Sequence, residues 1–159
     1  MAQIHKLEVE VKAKCCAEKL YAVMTRDAPK LPKYAPQIVH DCQVVPGDCE
    51  VRVGSLFVWH YVQDDKPSGV KAKEKITAVD HKNMSLTYTV FEGDLKNDYA
   101  SFATTLTTTP TQKDGSYNCL VNWSVQYEKA NADVPDPTYF MKLLEDFTKE
   151  VDTNLLKEE

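Results

Sequence analysis

The feature that most constrains this chain is a succession of strand-like segments with no helical segment between them. Six segments rich in β-branched and aromatic residues follow one another between residues 38 and 128. A parallel sheet would require a helical crossover between consecutive strands, whereas short turns connect antiparallel ones. The sequence therefore predicts an antiparallel meander. The strands are predicted at 38–45, 53–62, 70–80, 84–92, 100–109 and 117–128, and the turns at 46–48, 64–69, 81–83, 92–94 and 113–115.

The N-terminal part of the chain contributes one more strand and two short helices. Leu7, Val9 and Val11 alternate with charged residues, which is the period of a strand with one solvent-facing side. Residues 15–24 carry apolar side chains at helical spacing. The prolines that follow allow only a short second helix, which starts near Pro29 and ends before Pro36. We expect these two helices to form a V.

The C-terminal part of the chain predicts a long amphipathic helix. Asp136 is a suitable N-cap residue, and Pro137 suits the first helical position. The predicted fold class is therefore α+β, with one seven-stranded antiparallel sheet, two short helices and one long helix. The apolar stripe of the long helix has spacings of four, three, four and four and consists of Phe140, Leu144, Phe147, Val151 and Leu155.

Length and charge exclude several classes of protein. A chain of 159 residues is the size of a single domain, and we expect one domain over residues 1–159. The net charge of −5 and the lack of a basic block argue against nucleic-acid binding. The N-terminus lacks an apolar stretch of signal-peptide length, and no apolar run is long enough to span a bilayer. We therefore expect a cytoplasmic protein that does not insert into membranes.

The cysteines favour neither a disulfide framework nor a metal site. They form an odd set without CxxC spacing, which is typical of reduced thiols in the cytosol. Vicinal Cys15 and Cys16 lack a second cluster of ligands, and His40 with Cys42 is a single loose pair. We assign no metal. The five cysteines are Cys15, Cys16, Cys42, Cys49 and Cys119.

Strand parity predicts which side chains face the interior. Phe57, Trp59 and Tyr61 share the bulkier face of their strand, and every second residue from Cys119 to Tyr127 is apolar. Inner-face aromatic residues are compatible with a solid core and with a ligand cavity. The other inner faces are predicted to contain Leu86, Tyr88 and Val90 in one strand and Phe102, Thr104 and Leu106 in the next.

Several motifs together resemble the major latex protein branch of the birch-pollen-allergen superfamily, which is also called pathogenesis-related class ten. Their order and spacing cover essentially the whole chain and agree with the layout of strands and helices predicted above. The motifs are KLEVEVKAK at 6–14, YAPQI at 34–38, the PGD and VGS pair around 46–55, FEGD at 91–94, YASF at 99–102, VNWSVQYEK at 121–129 and ADVPDP at 132–137.

This resemblance implies a helix-grip fold, in which the sheet wraps around the C-terminal helix and encloses a large hydrophobic cavity. It also implies that the protein carries or transforms a small hydrophobic plant metabolite. Tyr99 would lie near the entrance. The candidate ligand-binding residues are Phe57, Trp59, Tyr61, Leu86, Tyr88, Tyr99, Phe102, Leu106, Trp123, Phe140, Leu144 and Phe147, of which we expect about half to touch a ligand, since such pockets share their walls with the core.

The chain departs from the wider superfamily in its loop between the second and third strands. That loop is glycine-rich in the superfamily, but PGDCEVRVG keeps only Gly47 and Gly54. No phosphate-binding motif such as GxxxxGK[ST] or GxGxxG occurs in the sequence. We therefore expect no cofactor, and the expected partner is a small hydrophobic molecule bound by a monomer or weak dimer.

Catalytic candidates are few. Enzymes of the superfamily that condense amines with aldehydes use a lysine in the cavity, but Lys71, Lys73 and Lys75 share the face of their strand that we expect to meet solvent. If that face turned inward, Lys73 would be the first candidate. His40, in phase with Ile38 and Cys42, is a weak candidate for proton transfer. The hydroxyls of Tyr61 and Tyr88 are weak candidates for orienting a carbonyl or an enol.

Three functions remain open from the sequence. The first is a binding or carrier protein for a hydrophobic metabolite. The second is a cofactor-free cyclase or isomerase that acts on a reactive terpenoid (iridoid-like) or alkaloid intermediate by proximity and exclusion of water. The third is a ligand-dependent interaction protein in defence or signalling.

Overall fold

The structure is a computed structural model that describes residues 3–47, 50–63, 66–111 and 118–158. Seven antiparallel strands form one sheet in the order β1-β7-β6-β5-β4-β3-β2. Strands β2 to β7 form the predicted meander, and β1 closes the far edge by pairing with β7, with Val9 opposite Trp123. The strands are β1 (His5–Ala13), β2 (Val39–Val45), β3 (Leu56–Gln63), β4 (Lys66–Asp80), β5 (Ser85–Gly93), β6 (Tyr99–Pro110) and β7 (Cys119–Lys129).

Three α-helices accompany the sheet in the described part of the chain. Helix α1 (Ala17–Met24) follows β1, and α2 (Leu31–Tyr34) is a single turn that continues a 3-10 segment at Ala28–Lys30. The prediction of a short helix between Pro29 and Pro36 is confirmed. Helix α3 (Thr138–Leu156) is the long C-terminal helix. The predicted α+β fold, in which a seven-stranded sheet wraps around the last helix, is confirmed.

The predicted cap of the long helix is wrong. Helix α3 starts at Thr138, its N-cap residue is Pro137, and no side chain caps it. The Asp136 carboxylate instead accepts a hydrogen bond of 2.5 Å from the Tyr127 hydroxyl and pairs with Lys129 Nζ at 3.2 Å. The end of β7 therefore holds the carboxylate, and it does not cap the helix.

Helix α3 lies against the concave face of the sheet with its apolar stripe inward. Val151, Phe147 and Leu144 are buried, while the opposite side carries ion pairs between Lys142 and Asp146 and between Lys149 and Glu145. Exposed pairs of this kind contribute only a few tenths of a kcal/mol each. Burial of the stripe therefore stabilises the helix in this position.

Of the five predicted turns, two need correction and two others lie wholly or partly outside the described residues. The turn predicted at 64–69 is too long, because β4 begins at Lys66 and pairs with Gln63. The turn at 113–115 lies outside the described residues, as does Asp48 of the turn at 46–48. The turn at 81–83 is present, whereas β5 runs on to Gly93, and Asp94 begins a 3-10 segment, Asp94–Asn97.

Candidate functional site

An apolar cavity lies between the concave face of the sheet and α3. Its volume is about 70 Å³. An engineered cavity that accepts benzene measures about 150 Å³, so the space is smaller than the large cavity that the resemblance implies. A ligand of metabolite size must therefore displace side chains of the wall. The lining residues are Ile38, Trp59, Tyr61, Ala72, Glu74, Tyr88, Leu95, Thr104, Trp123, Phe140, Leu143, Leu144 and Phe147.

Seven of the twelve predicted ligand-binding residues line this cavity. They come from β3, β5, β7 and α3, which the sheet order and the inward stripe of α3 bring to one place. Both tryptophans of the chain are among them, so tryptophan emission reports directly on this space. The seven are Trp59, Tyr61, Tyr88, Trp123, Phe140, Leu144 and Phe147.

The other five predicted residues are buried but lie outside the cavity lining. Phe57 packs edge-on against Tyr88, with ring centroids 5.1 Å apart. Tyr99, expected near the entrance, is only 1% exposed, and its hydroxyl donates to the Pro135 carbonyl at 2.9 Å. Because parity reports only the face of a strand, it does not separate the wall of a cavity from the packing beside it. The five are Phe57, Leu86, Tyr99, Phe102 and Leu106.

Six lining residues were not among the predicted ligand-binding residues, and Glu74 is the ionisable one. The other five are Ile38, Ala72, Leu95, Thr104 and Leu143. Glu74 is 7% exposed and lies on β4 at a register shift between Lys73 and Glu74. Burial raises the pKa of its carboxyl to about 7, and the Trp59 indole acts in the opposite direction. The available signal was an acidic residue in the apolar phase of VKAKEKI, between Ala72 and Ile76.

Among the described residues of the cavity wall, Tyr61 Oη and Thr104 Oγ1 have no hydrogen-bond partner. Trp59 Nε1 makes no hydrogen bond of good geometry, but the indole lies close enough to the Glu74 carboxyl to lower its pKa. An unpaired buried polar group costs about 1–3 kcal/mol, which makes such groups uncommon in folded proteins. The cavity therefore combines an apolar wall with unpaired polar atoms.

Two of the catalytic candidates, His40 and Lys73, lie on the solvent-facing side of the sheet. His40 is exposed and lies beside His60, with ring centroids 5.3 Å apart, so its predicted inward phase is wrong. The cause is a register shift between Val39 and Asp41, which places Val39 rather than His40 inside. Lys73 lies on the solvent-facing side, as expected, and pairs with Glu92 at 3.5 Å.

The two tyrosine candidates differ in what their hydroxyls contact. The Tyr88 hydroxyl donates to the Met24 carbonyl at 3.0 Å and is thereby held by the end of α1. The Tyr61 hydroxyl is buried without a partner on the cavity wall. Burial raises the pKa of both phenols, and the Glu74 carboxylate raises it further, so both hydroxyls are protonated at neutral pH. Tyr61 is the one free to donate to a ligand.

A wider cleft of about 450 Å³ lies between α1, residues 50–51 and the turn at 81–84. Tyr21 donates to His81 Nδ1 at 2.8 Å, and His81 Nε2 donates to the Val51 carbonyl at 2.7 Å. The His81 side chain is exposed, as its position in a turn predicts, and its two hydrogen bonds hold the loop before β3 against α1. Charged residues of both signs line this cleft, among them Glu18 and Arg26, so it lacks the apolar wall of the inner cavity.

The cysteines and the helices add two structural facts. No disulfide joins the four described cysteines, and Cys49 lies outside the described residues. Within the part of the chain that the structure covers, no helix has both the length and the apolar character needed to cross a bilayer.

Comparisons with known proteins agree with this architecture. The model of the pathogenesis-related protein Bet v 1 family matches residues 2–158. MLP-like protein 43 of Arabidopsis thaliana is 38% identical over 156 residues, which is 98% of this chain and 96% of the relative. The crystal structure of ginseng major latex-like protein 151 from Panax ginseng superposes with a TM-score of 0.84 at 27% identity, over 94% of this chain and 96% of that one.

A norcoclaurine synthase from Thalictrum flavum has the same fold. Its structure superposes with a TM-score of 0.71 at 21% identity and covers all of this chain and 89% of its own. At this level of identity the likeness shows the fold alone.

Proposed function

Because the chain belongs to the pathogenesis-related Bet v 1 family, we propose that it binds a small hydrophobic plant metabolite between the sheet and α3. The observation that carries this proposal is an internal apolar cavity with unpaired polar atoms in its wall. Small-molecule sites typically combine an apolar lining with a few convergent polar groups. On this proposal the protein is a cytoplasmic carrier of the major latex protein type, formed by a single domain over residues 1–159 and acting as a monomer or weak dimer.

A pair of matched substitutions on β4 tests where the ligand binds. Ala72 lies on the cavity wall, whereas Ala78 is exposed on the same strand. We expect Ala72→Leu to weaken binding of a fluorescent apolar probe by at least about tenfold, because the added carbon atoms occupy the cavity. Ala78→Leu should bind the probe as the wild type does. Unchanged binding by Ala72→Leu would place the probe elsewhere and contradict the proposal.

The natural ligand can be sought without choosing candidates in advance. Protein purified from its source tissue is analysed by native mass spectrometry, and any retained small molecule is extracted and identified. We expect a retained mass from the wild type and its loss from Ala72→Leu produced in the same tissue. A retained mass that is identical in both proteins would contradict binding in the cavity.

A second candidate function is a cofactor-free cyclase or isomerase acting on a reactive terpenoid (iridoid-like) or alkaloid intermediate. The buried carboxyl of Glu74 favours it, because a pKa of about 7 allows one group to release and accept a proton near neutral pH. The unpartnered Tyr61 hydroxyl can donate to a carbonyl or an enolate in the same space. Exclusion of water by the apolar wall would favour intramolecular ring closure over hydrolysis.

The enzyme hypothesis is tested by the product ratio of such an intermediate with and without the protein. We expect the wild type to change the ratio, and Glu74→Gln to abolish the change without weakening binding of the apolar probe. An unchanged ratio across a panel of terpenoid and alkaloid intermediates would leave the carrier function and eliminate the enzyme.

A third candidate, defence or signalling through a ligand-dependent surface, follows from the family alone. It predicts a partner protein that binds the ligand-loaded form and not the empty form. A pull-down with wild type and Ala72→Leu in parallel tests this, since only the wild type should retain the partner after ligand is added.

A further inference from the structure

Two histidine side chains meet on the outer face of the sheet, near its β2 edge. His40 lies on β2 and His60 on β3, and their ring centroids are 5.3 Å apart. His60 lies between Trp59 and Tyr61, which line the cavity, so its side chain is on the opposite face of β3. Within the part of the chain that the structure describes, neither ring forms a hydrogen bond or an ion pair. The ring nitrogens can therefore bind a ligand from solvent.

A β-bulge in β2 brings the two rings together. In the pairing of β2 with β3 the register shifts between Val39 and Asp41, so His40 is the extra residue. A bulge of this kind directs a side chain out of the regular alternation of its strand. His40 and Asp41 are consequently both exposed, and both lie beside His60 of the partner strand. Without the bulge, His40 would have the inward phase that strand parity predicts.

The strand on the other side of β3 leaves room for the His60 ring. Gly69 on β4 has a φ of 92°, and a Cβ atom at this position would collide with Nε2 and Cδ2 of His60. That edge of the imidazole therefore lies against the glycine, and Nδ1 is on the opposite edge. Because β3 lies between β4 and β2, Nδ1 is on the side from which His40 approaches.

We propose that His40 and His60 form a surface site for a divalent transition-metal ion, with Cu²⁺ bound more tightly than Ni²⁺ or Zn²⁺. Imidazole suits these ions, and their affinity for a given site is generally highest for Cu²⁺. Two nitrogens that share one such ion lie about 3 Å apart, because each metal–nitrogen bond is about 2 Å long. Centroids 5.3 Å apart permit this separation, since ring bonds of about 1.3–1.4 Å place a nitrogen about 1.1 Å from its centroid.

Water would complete the coordination shell. No group of three or more histidine, cysteine, aspartate or glutamate side chains that could hold a metal occurs among the described residues. The charges beside the pair have both signs. Asp41 lies opposite His60 on β2 and accepts from Gln43 Nε2 at 3.2 Å, and Lys71 lies opposite His60 on β4. Binding therefore depends on the two imidazoles acting together, since the second ligand meets an ion held by the first at high effective concentration.

The other two of the four histidines provide the contrast. Both ring nitrogens of His81 are already hydrogen-bonded, to Tyr21 and to the carbonyl of Val51. His5 lies on β1, at the opposite edge of the sheet, and stacks on Tyr127. His5→Gln is therefore the matched control, because it removes one imidazole far from the pair.

Titration of the full chain with nickel chloride in a non-coordinating buffer, followed by calorimetry, tests the site. We expect the wild type to bind one Ni²⁺ per chain. His40→Gln and His60→Gln should each bind it at least about tenfold more weakly, because either change leaves a single imidazole. His5→Gln should bind as the wild type does. With one equivalent of Cu²⁺, electron paramagnetic resonance of the wild type should show two imidazole nitrogens on the metal.

The substitutions also separate this pair from other metal-binding groups. A site formed by thiols or by scattered carboxylates would give equal affinities in all four proteins, and that result would overturn the proposal. Weaker binding in only one of the two test variants, or a Cu²⁺ spectrum with a single imidazole nitrogen, would overturn it as well. If His60→Gln does not fold, the spectrum of the wild type and the affinity of His40→Gln decide, since His40 is exposed. The titrations require no ligand in the cavity, so their result is independent of the proposed function.

Discussion

The carboxylate of Asp152 on α3 accepts a hydrogen bond of 2.9 Å from the backbone N–H of Cys15, in the segment between β1 and α1. The same carboxylate accepts from the neighbouring N–H of Lys14 at 2.9 Å. Asp152 is 9% exposed, so these bonds form where water competes little. The last turns of α3 are thereby tied to the edge of the sheet where β1 ends.

Replacing Asp152 should destabilise the protein. Asp152→Ala leaves two backbone N–H groups unpaired at a largely buried position, and we expect the free energy of unfolding to fall by about 2–4 kcal/mol. Urea denaturation followed by circular dichroism measures this change. Asp146→Ala on the same helix is the control, because its carboxylate is exposed and forms an exposed ion pair with Lys142; it should lower the free energy by less than about 1 kcal/mol. Equal effects of both substitutions would contradict the anchoring role.

A second tie between α3 and the sheet joins Thr148 and Trp123. The Thr148 hydroxyl donates to the Leu144 carbonyl at 2.7 Å and accepts from Trp123 Nε1 at 2.8 Å. Thr148→Val preserves the shape but leaves the buried indole N–H unpaired, so we expect a loss of about 1–3 kcal/mol in chemical denaturation. Thr153→Val on the exposed side of α3 should change stability by less than about 0.5 kcal/mol. A Thr148→Val protein as stable as the control would show that the indole finds another acceptor.

The strand layout could be predicted because it depends on local patterns. Period-two alternation and turn residues are readable within a few residues, and β7 shows this most clearly, since Val121, Trp123 and Val125 are all buried. The family motifs then supplied the relation of the sheet to α3. Neither the local patterns nor the family motifs specify the register in which two strands pair.

The errors arise where strand pairing or tertiary contacts override the local pattern. His40 is exposed because a register shift in β2 reverses its phase, and no residue type near it signals the shift. Aspartate is a residue type favoured at helix N-caps, but Tyr127 and Lys129 bind the Asp136 carboxylate instead. The exposure of His40 depends on how β2 pairs with β3, and the contacts of Asp136 depend on side chains of β7.

The candidate site could be predicted only in part for a related reason. Strand parity placed four of the wall residues and the apolar stripe of the long helix placed three more, but Glu74 was passed over because buried carboxylates are rare and β4 seemed an ordinary half-buried strand. Its inward position was already implied by the exposure expected for Lys73 and Lys75. The volume of the cavity depends on how closely the side chains of α3 pack on the sheet, which no pattern in the sequence specifies.

The backbone conformation at Gly93 gives a further test. Gly93 has a φ of 123°, and a Cβ atom there would collide with the carbonyl oxygen of Lys71 on β4. Gly54 has a φ of 98° and nothing within 4 Å of the same position. We expect Gly54→Ala to lower the free energy of unfolding by about 1 kcal/mol from backbone strain, and Gly93→Ala by more than about 2 kcal/mol from strain and collision together. Thermal and urea unfolding of both variants measure these losses of stability. A larger loss for Gly54→Ala than for Gly93→Ala would contradict the prediction.

The last prediction concerns the pH dependence of stability at Glu74. Burial raises the pKa of its carboxyl from 4.5 to about 7, and the neighbouring Tyr61, Tyr88 and Cys42 are neutral over that interval because their own pKa values are raised. Between these two values the folded protein binds more protons at this site than the unfolded chain does. Stability contributed by the protonated form is therefore complete below about pH 4.5 and is lost as the pH rises towards 7.

Glu74→Gln removes this titration. Relative to the wild type, the variant should gain stability between about pH 4.5 and pH 7, by about 3 to 4 kcal/mol in all, because the cost of ionising the buried carboxyl, about 1.4 kcal/mol for each step of one pH unit in that interval, is absent from it. The measurement is the free energy of unfolding in urea at several pH values for both proteins. Subtracting one curve from the other removes the contribution of the groups common to both. Parallel curves would mean that the Glu74 carboxyl titrates alike in the folded and unfolded chains, whereas a difference that narrows with rising pH would mean that a cation stabilises its charged form.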